Sequence, residues 1–306
     1  MNMPVSRTDH GARDDLRRGG AVSVVRAIVV LAGVVGVSPV ALAQGAETSA
    51  PNAGQGAASG AAADAAPSDT PNTGQDITNP VTRVDLRASY QLTPADRDSY
   101  VFTLRADKPY ALGDGWKLGL RFDAPTVYNN VPSSENLGGA YQLGFGNALA
   151  QAILIKAIDK RQAFGFGAQI IVPTATAPQF GSSTVQFVPT VGYRYGLPEI
   201  SKGSFFVGAA RWDFNVGARA GQRINNLQFS PTLNVALPEQ TFITFYPSTD
   251  IHYDFVTSSW FVPFDAMVGK LWGKSVVTSL EVSAPIINGR APLYQFKTEA
   301  RVGIFF

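Results

Sequence analysis

The residues with most chemical potential stand at the two ends of one alternating pattern. Arg83, Asp85 and Arg87 occupy every second position near its start, and Lys297, Glu299 and Arg301 do the same near its end. Side chains of a β-strand alternate between two faces, so each trio shares a face. If the two segments pair, the six residues form a mixed-sign cluster. The simplest chemistry for such a cluster is a structural ion-pair network; the other is a charged constriction that sets which solutes pass a pore. Arg105, Lys117 and Arg121, on intervening segments, complete the set of candidate lumen-lining residues.

Other chemistries find little material. The chain has no Cys, which removes disulfides, thiolate metal sites and a Cys nucleophile. Only His252 follows the N-terminal apolar segment, in IHYDF (251–255) with Asp254 two residues on, and one His makes a His-based zinc site improbable. Ser248, Ser258 and Ser259 are near in sequence, but no Gly-x-Ser-x-Gly elbow marks a nucleophile. GFGNA and GFGFGA have no following helix to present an N-terminus to phosphate. The expectation is no enzyme, no cofactor and no metal. A formal charge of +2 gives no reason to expect nucleic acid as a partner.

The elements that must position these charges are strands. The closing stretch YQFKTEARVGIFF (294–306) sets Tyr294, Phe296, Thr298, Ala300, Val302, Ile304 and Phe306 against Gln295, Lys297, Glu299, Arg301, Gly303 and Phe305. Thirteen residues exceeds an ordinary strand of about 5–6 and suffices to cross a bilayer as a tilted strand of about 9–11. The pattern predicts twelve strands: 82–92, 99–107, 115–124, 140–155, 162–172, 184–195, 203–215, 224–236, 240–251, 258–270, 274–284 and 293–306. Short connections (108–115, 156–162, 196–202, 237–240 and 271–274) alternate with longer ones, of which 125–139 and 173–184 are the longest. Short turns on one side and long loops on the other mark outer-membrane barrels. Trp116, Tyr195, Trp212, Phe214, Trp260 and Trp272 fall near strand ends, where girdles or ordinary core packing would put them. Strand 240–251 and the second half of 140–155 lose the clean phase, and a bulge is one explanation. A soluble sandwich would have to bury about ten long apolar faces, whereas a closed barrel pairs the first strand with the last and leaves no edge.

The front of the chain reads as an export signal over 1–43: Arg17, Arg18 and Arg26, then the apolar run 27–37, then SPVALA with cleavage after Ala43. The start codon can lie downstream of Met1, and Arg17-Arg18 gives a weak twin-Arg hint. Removing 1–43 takes away five Arg and three Asp and leaves a formally neutral chain. Residues 44–79 are rich in Ala, Gly, Ser, Thr, Asn and Pro and suit a disordered leader, with a lumen plug or a peptidoglycan-contacting tail as alternatives. The barrel is expected over 80–306.

Several phrases carry a resemblance: TNPVTR (78–83), LGFGNAL (143–149), IIVPTATAPQFG (170–181), FSPTLNVALPEQ (229–240), WFVPFDAMVGKLW (260–272) and the closing strand. Together they resemble the family of outer-membrane transporters named after phenol meta-cleavage pathways, over most of 72–306. The chain departs from that family at Asn147, where Asp is usual, and at GSSTV (181–185), where a Gly-Ser-Gly-Lys-Trp-like run is usual. The resemblance implies a Gram-negative outer-membrane barrel admitting small hydrophobic or aromatic compounds, and supplies no binding residues.

The expectation is therefore an all-β, transmembrane antiparallel up-and-down barrel acting as a passive channel or uptake protein for small-molecule solutes. The alternative is a non-conducting structural or surface-interaction barrel whose lumen side chains fill. Its partners would be membrane lipids, lipopolysaccharide and, through the strand ending at Phe306, the barrel-assembly machinery. Deleting Phe306 is expected to lower the fraction of chain reaching the heat-modifiable, folded form on unheated gels; an unchanged fraction would remove the terminal Phe as an assembly signal.

Overall fold

A computed structural model describes residues 73–217 and 223–306. The predicted signal and residues 44–72 of the leader lie outside the described residues. Fourteen strand segments make one antiparallel sheet: β1 (Arg83–Leu92), β2 (Asp98–Gly113), β3 (Trp116–Asn129), β4 (Gln142–Phe145), β5 (Ala148–Ala157), β6 (Gln162–Val172), β7 (Gln186–Gly196), β8 (Phe205–Asn215), β9 (Asn225–Ala236), β10 (Thr241–Phe245), β11 (Ile251–Asp254), β12 (Ser259–Trp272), β13 (Val276–Asn288) and β14 (Phe296–Phe305). β4 and β5 share one position in the wall, as do β10 and β11, so the wall has twelve strands. β1 pairs with β14 over ten residues, from Arg83 opposite Phe305 to Leu92 opposite Phe296. That ladder closes the sheet into a barrel.

Both chain ends of the barrel and the short turns lie at one rim, termed here the terminus end; the longer connections lie at the loop end. Several boundaries differ from expectation. Residues 108–113 are ladder, not turn: Pro109 stands opposite Gly119 and Tyr110 opposite Leu118. The turn is only Asp114-Gly115, both at positive φ (49° and 74°), the geometry a two-residue hairpin needs. Likewise β3 continues through PTVYN to Asn129. Tyr294 leaves the expected outer face of the last strand: it precedes β14, is 1% exposed, and turns inward to donate its hydroxyl to Asp250 at 2.8 Å.

The burial pattern is inverted relative to a water-soluble fold. Leu86, Leu104, Phe122, Phe166, Val191, Phe264, Val268, Leu280 and Ile304 are all exposed on the outer wall, while Arg83, Asp85, Asp107, Asp265, Glu281 and Arg301 are buried inside. Outward aromatics gather at both rims. Trp116, Tyr195 and Trp272 lie at the terminus end, and Trp212, Phe214 and Trp260 at the loop end. Near Trp212 and Trp260 they pack ring on ring, as in Trp212–Phe214 at 5.1 Å and Phe229–Trp260 at 6.1 Å. Among the described residues no helix is long and apolar enough to cross a membrane.

The lumen is not uniformly polar. On its terminus-end side Phe242, Met267, Leu271 and Val277 pack together, joined by Phe305. Gly269 fits because its neighbour in this cluster, the Phe242 ring, occupies the space a Cβ would take. Gly269→Val is expected to displace that ring and destabilise the barrel by about 1–3 kcal/mol. Unfolding midpoints of refolded protein in urea would measure it, and an unchanged midpoint would show that the cluster is loose.

Candidate functional site

All nine candidate lumen residues face inward, but they do not form one cluster. Asp85, fully buried, accepts from Arg301 Nη2 at 3.2 Å and from Arg87 at 3.3 Å, and Arg83 lies 3.5 Å away. Arg87 also reaches Glu299 at 3.0 Å. Arg105 binds Asp123 through Nε and Nη2 (2.7 and 2.6 Å), a bidentate pair. Asp107 joins Arg83 (2.6 Å) to Arg121 (2.8 Å). Lys297 turns away from this group and bridges Asp250 (2.7 Å) and Glu281 (2.8 Å). Lys117 points toward the amide oxygen of Asn79, at 3.4 Å.

Sequence reasoning missed Asp107, Asp123, Arg194, Arg211, Asp250, Asp265 and Glu281. The strand phase was a usable signal for those on regular strands, since Asp107 and Asp123 face the lumen with Arg105 and Arg121. In β12 it was not, because both faces of SWFVPFDAMVGKLW are largely apolar and Asp265 lies between Pro263 and Met267 on the inner one.

Residues 73–80 lie inside the barrel and touch strands all around it. Arg83 donates to the carbonyl of Gly74 at 2.7 Å, and Arg301 to that of Thr73 at 3.5 Å. Gln75 reaches the Met267 sulfur at 3.8 Å. Asp76 pairs with Arg194 at 2.5 Å and holds its own turn by accepting from the Thr78 amide (2.9 Å) and hydroxyl (2.6 Å). Gly74 has φ of +71°, and a Cβ there would overlap the Arg83 guanidinium, so only glycine serves. Ile77 fits over Gly192 and Pro80 over Gly119. These partners belong to β1, β3, β7, β12 and β14, so the segment crosses the lumen.

Two interruptions of the wall shape the loop end. Residues 246–250 break the strand between β10 and β11 and bring Ser248, Thr249 and Asp250 to the lumen. The other lies at Gly146-Asn147, between β4 and β5. β4 pairs with β3 alone; on its far side connection 173–185 takes the place of a strand. Thr176 donates its amide to the Phe145 carbonyl (3.0 Å), and its hydroxyl accepts from the Phe145 amide (3.1 Å). The Thr174 hydroxyl accepts from Ala148 N (2.8 Å) and donates to Gly146 O (2.9 Å). Asn147 accepts from Ala175 N at 3.1 Å and donates to Ser182 O at 2.9 Å. A carboxylate could not make that second bond, so Asn suits this loop where Asp would not. Phe180, 8% exposed, covers Gly144, where no Cβ fits. PTATAP and GFGN are thus two halves of one seam, held by two hydroxyls, one side-chain amide and one backbone pair.

His252 belongs to the barrel wall. It lies on β11, 4% exposed, with its ring stacked on Phe261 at 5.5 Å and Nδ1 3.2 Å from the Asp250 carbonyl. Asp254 instead caps the turn after β11, through Val256 N (2.7 Å) and Thr257.

No family model matches the sequence, and no curated protein matches it. Among solved structures the chain is similar to an outer membrane channel from Pseudomonas putida F1: 16% identity, TM-score 0.56, covering 74% of this chain and 95% of that one. It is also similar to the NanC porin, at 11% identity and TM-score 0.47 over 73% and 98%. The first likeness fixes the barrel fold. The expectation that the chain is not an enzyme is corrected. The outer membrane phospholipase A from Escherichia coli is also similar (14% identity, TM-score 0.43, 77% and 96% covered), and the fold alone is not decisive about enzymatic activity.

Burial pushes the Asp76 carboxyl above its ordinary range, against the opposing pull of Arg194 and of the two Thr78 hydrogen bonds. A carboxyl raised on docking binds its proton more readily docked than free. Its contribution is therefore complete at low pH and lost as the pH climbs through the raised value. Arg194→Met leaves Asp76 buried without its cation and is expected to speed hydrogen exchange across 73–80, most at alkaline pH. Exchange equal to wild type would mean that Asp76 does not hold the segment.

Proposed function

We propose that the chain is an outer-membrane channel-type barrel for uptake of small, largely hydrophobic solutes, which pass through the wall at the β4 seam rather than along the whole lumen axis. The observation that carries this reading is the seam itself. It is where the ladder between neighbouring strands is largely replaced by side-chain hydrogen bonds, and an aromatic side chain, Phe180, sits behind it. Apart from the break at 246–250, backbone ladders join each described strand to the next, and breaching them in lipid would leave several polar groups unsatisfied at once. Breaching the seam means releasing one backbone pair, Thr176 N to Phe145 O, and the side chains of Thr174, Thr176 and Asn147, which can take other partners.

The exposed apolar belt, the aromatics at both rims and the closed ladder support a membrane location, with lipid around the wall and lipopolysaccharide at the loop end. Likeness to an outer membrane channel adds to this. The axial route is obstructed by residues 73–80, by the Phe242–Met267–Leu271–Val277 cluster and by paired charges, a poor path for an apolar solute. The filled lumen equally favours the second reading, a structural barrel that passes nothing.

One experiment separates them. The variant F145C/T176C places a cysteine on each side of the seam. Uptake of toluene by outer-membrane vesicles is expected to fall several-fold when the pair is oxidised and to return on reduction. Equal uptake in both states would sink the seam route; no uptake above empty vesicles in either state would favour the structural barrel.

A further inference from the structure

Arg211 is the odd cation of the lumen. Its neighbours Arg83, Arg87, Arg105 and Arg121 each contact a carboxylate. Arg211 pairs with none among the described residues. It donates Nη1 to the Thr249 hydroxyl at 2.9 Å, and its Nε is buried without a partner. The acid best placed to compensate it, Asp123, is taken in bidentate fashion by Arg105.

This guanidinium does not face a wall. It lines a lumen cavity of about 220 Å³ together with Arg105 and Arg121. A guanidinium with one buried, unmet donor is costly unless an anion completes it. A planar carboxylate matches the donor fork that Arg presents. The cavity also has an apolar strip, Ile77, Val207, Ala209 and Pro247. A ligand satisfying both halves has a carboxylate at one end and a compact apolar body at the other.

We propose that this cavity binds a small amphipathic carboxylic acid, with Arg211 as the principal anchor and Arg105 and Arg121 adding positive field. The inference deepens the uptake reading and rests on it only for how the ligand arrives. Binding itself is independent of transport. Arg211 is a specificity residue here: it distinguishes an acid from the neutral molecule of the same shape.

The test uses the full mature chain folded in detergent, with benzoate and its neutral analogue benzyl alcohol as probes, by titration calorimetry. Benzoate is expected to bind and benzyl alcohol to bind at least about tenfold more weakly, the consequence of losing one charge-assisted contact. R211M keeps the side chain's bulk and leaves no carboxylate stranded, so the barrel should fold, as gel mobility would show. It is expected to erase the preference for benzoate. R211K should retain part of it. Equal binding of the two probes to wild type, no binding of benzoate, or an unchanged preference in folded R211M would each overturn the proposal. Toluene uptake in the same R211M protein is expected to stay near wild type, so failure of the anion site and failure of the seam route are distinguishable.

Discussion

The structure depends on one constraint: a strand facing lipid has no water to satisfy its backbone, so every ladder must have a neighbour. The ten-residue pairing of β1 with β14 meets that constraint by removing both edges of the sheet at once. Closure then fixes what lies inside. Because side chains alternate, the polar half of each strand is delivered to a narrow lumen, where charges either find partners or stay costly.

The charged lumen shows how pairing is achieved against the register. Arg87 and Arg301 stand directly opposite each other in the β1–β14 ladder, a like-charge arrangement that opposes pairing. Asp85, two residues from Arg87 on the same face, accepts from both, and Glu299 takes the second arm of Arg87. Asp107 stands directly opposite both Arg83 and Arg121 in its two ladders, and there register and ion pairing agree. Such buried pairs are weak evidence of net stability, since desolvation offsets much of the attraction. Their effect is to order the lumen and to give residues 73–80 fixed donors to dock on.

Where the constraint is relaxed, the protein acquires its distinguishing features. At β4 most of the missing ladder is replaced by hydroxyls and an amide, with one backbone pair, Thr176 to Phe145, retained. At 246–250 the break carries Thr249 and Asp250 inward, where one meets Arg211 and the other Lys297. Both sites are local departures from a rule obeyed elsewhere, as functional sites often are.

Much of the fold was legible in the chain because a period of two is a local property. YQFKTEARVGIFF assigns its faces without any partner, and twelve such stretches with short and long connections alternating imply closure. The facing of Arg83, Asp85, Arg87, Arg105, Lys117, Arg121, Lys297, Glu299 and Arg301 followed from the same phase. The pairings did not, because which carboxylate meets which cation is set by stagger between strands and by long side chains reaching diagonally. Lys297 therefore joined Asp250 and Glu281, 47 and 16 positions away, rather than the first strand. The inward path of 73–80 stood in the sequence only as the alternative of a lumen plug, since TGQDITNP has no pattern of its own and takes its place from donors that exist only once the barrel has closed. The seam stood in the sequence as two Gly- and Thr-rich phrases; only their meeting in space showed that one completes the other.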